Sequence, residues 1–367
     1  MRRVNSLLAM LLMISALISC NQSPKVPSFS IKANIEGATG TVYLKKAVGR
    51  DLVSIDTTQL VDSKFELTDT LSFPGLYLIQ MDSATLPIFL DASNIEIKGN
   101  IADSKNIAIT GSKTNDVFKK FEKASMPFQE KLGNLSVKLR EAYYAQDTAA
   151  FKKYREMQYS INEEFKTFLI NFIESNSSSP VASYLLRGNT YQFDYDQIDK
   201  AVNSFTGDAK TTQDYKFVED YRNKLKACQI GMTAPDFTLP DTAGNPVALS
   251  SLKGKVFLLD FWASWCSPCR AANPSVVALY NEFKDQGFEV FGVSLDENKE
   301  NWLQAIKDDK LTWTQVSDLK GWKSAAGDLY GVKGIPHTVL IDKDFKIVAK
   351  NLHGEELTEK VKELLSK

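Results

Sequence analysis

Histidine and cysteine are scarce in this chain, with two His and four Cys in 367 residues. That scarcity works against most metal and haem chemistry. A structural zinc site built on the pair Cys266 and Cys269 would need two further ligands, and the candidates Cys228, His337 and His353 are not paired at short range. A c-type haem needs a His directly after the second Cys of the pair, where this chain has Arg270. No cofactor and no metal are expected. Excess charge is missing too: 44 Lys and Arg stand against 45 Asp and Glu, a net charge of −1. No field therefore gathers nucleic acid or an anionic membrane surface, and lysines such as Lys119 and Lys120 read as solvated helix faces. An apolar run of bilayer length is also lacking, because residues 7–18 are too few to span.

What is present suffices for real cores: 43% of residues are hydrophobic and 11% aromatic, over a length that accommodates two or three domains. Arg2 and Arg3 precede the short apolar stretch, the layout of a secretion signal. Its end, Leu17-Ile18-Ser19-Cys20, resembles the lipobox of bacterial lipoproteins. The resemblance implies that residues 1–19 are removed, that Cys20 carries a diacylglycerol, and that the protein is periplasmic and anchored to a bacterial membrane. Asn21 after the Cys leans towards the outer membrane of a Gram-negative cell. Residues 20–28 hold two prolines and no apolar period, as a tether should.

Residues 29–111 alternate apolar and polar positions in short segments punctuated by Gly37, Gly40, Pro74, Gly75 and Gly99, which predicts an all-β sandwich or barrel. From 112 to 229 the period changes. Phe151, Tyr154, Ile161, Phe165, Phe168 and Phe172 lie at helical spacing with charged residues opposite, and Ser179-Pro180 reads as the cap and first position of another helix. The aromatic stripe reads as core packing between helices. Cys228 falls in a linker, open to roles as a buried spectator, a dimer partner or a regulatory thiol. Residues 230–367 then alternate strand and helix patterns, an α/β unit with helices covering a central sheet.

The chemistry concentrates in Trp265-Cys266-Ser267-Pro268-Cys269, directly after the apolar run 256–262. An apolar strand, an aromatic loop and a helical pattern from 269 to 283 place Cys266 at a helix N-terminus. Unpaired backbone N–H groups and the helix dipole favour a thiolate there, lowering the pKa below the free value of about 8.5. Disulfide exchange needs such an exposed attacker and a second thiol to resolve the mixed disulfide, which assigns attack to Cys266 and resolution to Cys269.

These residues resemble the thioredoxin superfamily, and within it the membrane-tethered thiol–disulfide oxidoreductases of the ResA and TlpA type. The resemblance covers residues 230–367. It rests on Ala234-Pro235-Asp236-Phe237, Leu252-Lys253-Gly254-Lys255, Phe261-Trp262-Ala263 before the dithiol, and Gly334-Ile335-Pro336 ahead of Thr338. It implies a thioredoxin fold, client proteins with disulfides, a membrane thiol reductase as electron donor, and a role in cytochrome c maturation or disulfide repair, more reducing than oxidising. It also implies that Pro336 is the family's cis-proline beside the dithiol, with Trp265, Ile335 and Pro336 facing the client. Asp260, six residues before Cys266, matches the buried acid of thioredoxins and is expected to take the proton from Cys269. The acid that ResA-like proteins carry three residues beyond the second Cys is replaced by Ala272, beside Asn273. His337 reads as a surface strand position. Two alternatives stay open: a thiol peroxidase, and a lipid-anchored binding module that uses the fold as a scaffold.

Overall fold

The computed structural model describes residues 27–48, 51–82 and 84–366. The expected signal peptide, Cys20 and the tether up to residue 26 lie outside the described residues. Among the described residues no helix is long and apolar enough to cross a membrane.

Strict alternation builds the first region. In β1 (Ser28–Glu36), Phe29, Ile31, Ala33 and Ile35 point inward while Ser28, Lys32, Asn34 and Glu36 face water. The next strands are β2 (Thr41–Val48), β3 (Asp51–Gln59), β4 (Lys64–Thr70), β5 (Gly75–Met81), β6 (Ala84–Leu90), β7 (Asn94–Asn100) and β8 (Ala108–Thr110). They form two four-stranded sheets, ordered β4-β1-β7-β8 and β3-β2-β5-β6. Val42, Leu44 and Ile79 of one sheet share a core with Ile31, Ile35, Ile95 and Ile97 of the other, so the unit is a sandwich.

Helices follow. The long pair α1 (Lys113–Tyr144) and α2 (Thr148–Ser175) is capped by Ser112 and Asp147, whose side chains accept from the third backbone N–H beyond them. Phe165, Phe168 and Phe172 of α2 meet Phe121 and Phe128 of α1 at ring separations of 5.3–6.1 Å, so the aromatic stripe is the seam of this pair. Next come α3 (Pro180–Gly188), α4 (Tyr195–Ser204) and α5 (Gln213–Ala227). Ser179 caps α3 with Pro180 in its first turn, and Asp194 with Gln197 forms a capping box on α4. Phe89 of β6 is fully buried among these helices, and Asn115 holds its backbone with hydrogen bonds of 3.0 and 2.7 Å, joining sandwich to helices.

The last part is a thioredoxin-like fold. A hairpin of β9 (Thr238–Pro240) and β10 (Pro246–Ala248) leads into β11 (Val256–Trp262), α6 (Ser267–Phe283), β12 (Phe288–Ser294), α7 (Lys299–Asp308), β13 (Thr314–Val316), α8 (Ala325–Leu329), β14 (His337–Ile341), β15 (Ile347–Lys350) and α9 (Gly354–Leu365). The sheet runs β13-β12-β11-β14-β15, parallel among the first three strands and antiparallel at β14 and β15. Central β11 is buried on both faces, which explains its unbroken apolar run. Its even-numbered residues Val256, Leu258 and Trp262 pack with Cys269 and Leu279 of α6, and its odd-numbered Phe257, Leu259 and Phe261 pack with Leu249, Tyr330 and Phe345.

Cys228 is not in a linker. It caps the C-terminus of α5 and is buried in the thioredoxin-like core, with Sγ 3.8 Å from the Leu329 carbonyl oxygen, and burial pushes its thiol up to about 11. The same helix is joined to α8 and to the loop ahead of Pro336. The Tyr221 hydroxyl donates to the Gly331 carbonyl at 3.0 Å, and Lys224 pairs with Asp328 at 2.8 Å. Gly331 has φ +65°, and a Cβ there would lie 2.8 Å from Leu225 Cδ2 and 3.2 Å from the Tyr221 ring. Gly331→Ala is therefore expected to destabilise the protein by about 2–4 kcal/mol, combining the positive-φ penalty with overpacking. Gly287→Ala, at φ +96° in open space, carries only the first part, and urea unfolding midpoints of the two variants check the difference.

Candidate active site

The fold brings the end of β11, the start of α6 and the loop before β14 to one point. Cys266 is the N-cap of α6, extended at φ −84° and ψ 95°, and its Sγ accepts the Cys269 N–H at 3.2 Å. The two sulfurs are joined as a disulfide, with Cα atoms 5.3 Å apart. On reduction the same N–H and the positive end of α6 face the Cys266 sulfur, the arrangement that lowers a thiol's pKa. The expected exposed attacker is, in this oxidised form, only 4% exposed against 1% for Cys269. The reason lies in its neighbours: Cys266 is drawn into the core cluster with Cys269, and the Ile335 carbonyl oxygen stands 3.7 Å from its Sγ.

The Ile335–Pro336 peptide bond is cis and stands beside this sulfur. Trp265, by contrast, is 53% exposed, and its ring lies 6.0 Å from that of Trp322, also exposed. Together they form an aromatic flank that no single stretch of sequence announces. His337, read as a surface position, is half-buried with its ring 5.9 Å from Phe261, and burial first, then the nearby Lys350, brings its imidazole down to about 4. It is neutral at neutral pH.

Asp260 sits on β11 opposite Gly292 and Thr338. Side chains alternate along a strand, so Asp260 shares the face of Leu258 and Trp262, the face that packs against α6 and Cys269. It is buried, and burial alone pushes its carboxyl up to about 7. The acid therefore lies on the Cys269 side of the sheet, with its carboxyl raised into the neutral range.

Two clamps hold the loop rigid, and both were invisible in sequence because their partners are distant. Buried Asp296 accepts from the Ser264 N–H at 2.9 Å, from the Ser264 hydroxyl, and from the Ser294 hydroxyl at 2.7 Å. Arg270 donates to both oxygens of Asp309 and, at 3.2 Å, to the Ser264 carbonyl. Asn273 donates to the same Asp309 at 2.6 Å, so the polar group nearest the missing ResA acid is occupied in holding the loop. Among the described residues, no group of three or more His, Cys, Asp or Glu side chains converges where a metal ion could sit.

The AhpC/TSA family matches residues 230–350, and a domain of unknown function, DUF4369, matches residues 29–118. The thiol-disulfide oxidoreductase ResA of Bacillus cereus is 32% identical over 153 residues, covering 42% of this chain and 86% of its own. ResA of Geobacillus thermodenitrificans is 34% identical over 151 residues, covering 41% of this chain and 84% of its own. A solved thioredoxin domain of a thiol-disulfide oxidoreductase from Bacteroides vulgatus shares 42% identity, covering 37% of this chain and 98% of that one at a TM-score of 0.36. Through its C-terminal part, the chain belongs to the ResA-type thiol-disulfide oxidoreductases.

Proposed function

We propose that this enzyme reduces disulfides of client polypeptides in the periplasm, held to a bacterial membrane, the outer one, through a lipid on Cys20, and recharged by a membrane thiol reductase. Cytochrome c maturation and disulfide repair are the roles that fit. The observation that carries the reading is the placement of Cys266 Sγ, 3.2 Å from the Cys269 N–H at the start of α6 and 3.7 Å from the Ile335 carbonyl oxygen.

The steps balance as follows. The Cys266 thiolate attacks one sulfur of the client disulfide, a new S–S bond forms, and the displaced client thiolate picks up a proton from solvent. Trp265, Ile335 and Pro336 bound the opening through which the client sulfur arrives. Cys269 then gives its proton to the Asp260 carboxylate and attacks Cys266 Sγ. The mixed disulfide breaks, the second client sulfur leaves as thiolate, and two electrons have passed from the enzyme dithiol to the client. A membrane dithiol reverses the enzyme's change by the same exchange.

The test is a redox titration beside an insulin-reduction assay. Dithiols of this kind span about −270 to −120 mV, and the expected value lies nearer the first, with insulin reduced. A value at the oxidising end overturns the reductase assignment. The match to the AhpC/TSA family favours one second reading. A peroxide would convert Cys266 to a sulfenic acid that Cys269 captures as the same disulfide, so peroxide consumption by the reduced enzyme separates the two.

A further inference from the structure

We propose that the helical region forms the second wall of the client groove, so that the enzyme grips an extended polypeptide segment next to the cysteine it attacks. This rests on the thiol exchange described above and adds the surface that holds the client beside the reacting disulfide. A cleft of about 780 Å³ runs between the segment before β14 and the turn leading into α4, within the range of about 300–1,000 Å³ typical of ligand-sized sites. One wall is Lys333, Ile335 and Pro336; the other is Tyr191, Asp194 and Asp196. The cleft borders the reactive centre, because Ile335 lines it and the Ile335 carbonyl oxygen is 3.7 Å from Cys266 Sγ. A polypeptide bound through a mixed disulfide at Cys266 and running past Ile335 places its next residues in the cleft.

The walls suit a chain rather than a small thiol. Tyr191 is 67% exposed at the rim, an aromatic surface of the kind that anchors a partner's side chain. The walls carry opposite charge. Asp196 is exposed, with no ion-pair partner among the described residues, whereas Lys333 lies over the Phe217 and Tyr221 rings at 5.6 and 5.1 Å. An extended segment with an apolar side chain followed by a basic one meets Tyr191 and Asp196 in turn. The second wall is also fixed in place: the Lys224–Asp328 pair ties the helical region to α8, and the Tyr221–Gly331 hydrogen bond ties it to the loop that ends at Pro336.

The experiment compares two disulfides with the full-length reduced protein: insulin as the polypeptide and dithionitrobenzoate as the small molecule. In Tyr191→Ala and in Asp196→Lys, the ratio of the insulin rate to the dithionitrobenzoate rate is expected to fall by about five- to tenfold, the size of a lost anchor contact. Asp196 is an exposed residue, so its variant keeps the fold even if Tyr191→Ala does not. An unchanged ratio in Asp196→Lys overturns the inference while leaving the exchange chemistry standing. Failure of the wild-type protein to react with dithionitrobenzoate removes both.

Discussion

Cys266→Ser abolishes disulfide exchange, lowering the rate by about a thousandfold or more, as expected when a nucleophile is deleted, whereas Cys269→Ser still attacks and then stalls. The asymmetry follows from position. Cys266 is the N-cap of α6 beside the Ile335 carbonyl oxygen, and Cys269, one turn on, faces the core under β11. A serine at 269 leaves the mixed disulfide without a resolving thiol, so the client stays attached and intact mass spectrometry reads it as an adduct. Equal trapping by Cys266→Ser would mean that the roles of the two sulfurs are exchanged. In the Cys269→Ser protein alkylation at Cys266 should also reach half its maximal rate at a pH well below the free thiol's about 8.5, because the amide donor and helix end remain. Alkylation no faster than free cysteine's would remove the basis of the mechanism.

Asp260→Asn is expected to make the protein more stable and a poorer enzyme. In the folded state Asp260 keeps its proton up to about 7, against an ordinary value of 3.8. Below both values the two states bind the proton equally. As pH rises between them the unfolded chain has released the proton and the folded one has not, so unfolding becomes easier, and above about pH 7 the full cost is present. At 1.36 kcal/mol per unit that cost is about 4 kcal/mol. Asparagine does not titrate, so the variant should gain up to this amount at about pH 8 and almost nothing at about pH 3, below both values. Urea midpoints at the two pH values measure it. Resolution of the mixed disulfide should slow by about a hundredfold, the lower end for a lost proton acceptor. A stability difference independent of pH would show that the carboxyl is not held protonated by burial.

Much of the reactive centre was readable because its signals are local. The apolar run of β11 is continuous since both faces are buried, and Cys266, Pro268 and the apolar spacing of α6 lie within one short stretch. The period-two strands of the sandwich were legible for the same reason. Strand β3 was not: Leu52, Val53 and Ile55 are all exposed on an edge strand, so its sequence carries no inside and outside. Residues 323–330 have a helical pattern, yet α8 covers only Ala325–Leu329, since Lys323 ends a separate short turn and Ser324 is the cap. Cys228 was misplaced because the core that buries it is assembled from segments up to about a hundred positions away, Leu329 among its contacts. Asp296, Asp309 and Trp322 escaped likewise. Each is an ordinary residue until the sheet brings it beside the loop.

The seam between α5 and the loop at Gly331 has a practical corollary for anyone dissecting the chain. Cutting just after residue 229 would leave the Gly331 carbonyl with no donor and open the hollow filled by the Cys228 thiol and the Leu225 side chain. The excised catalytic piece would carry a greasy scar beside its own entrance. A fragment that keeps α5 as a built-in splint is the sounder tool for crystallisation or trapping.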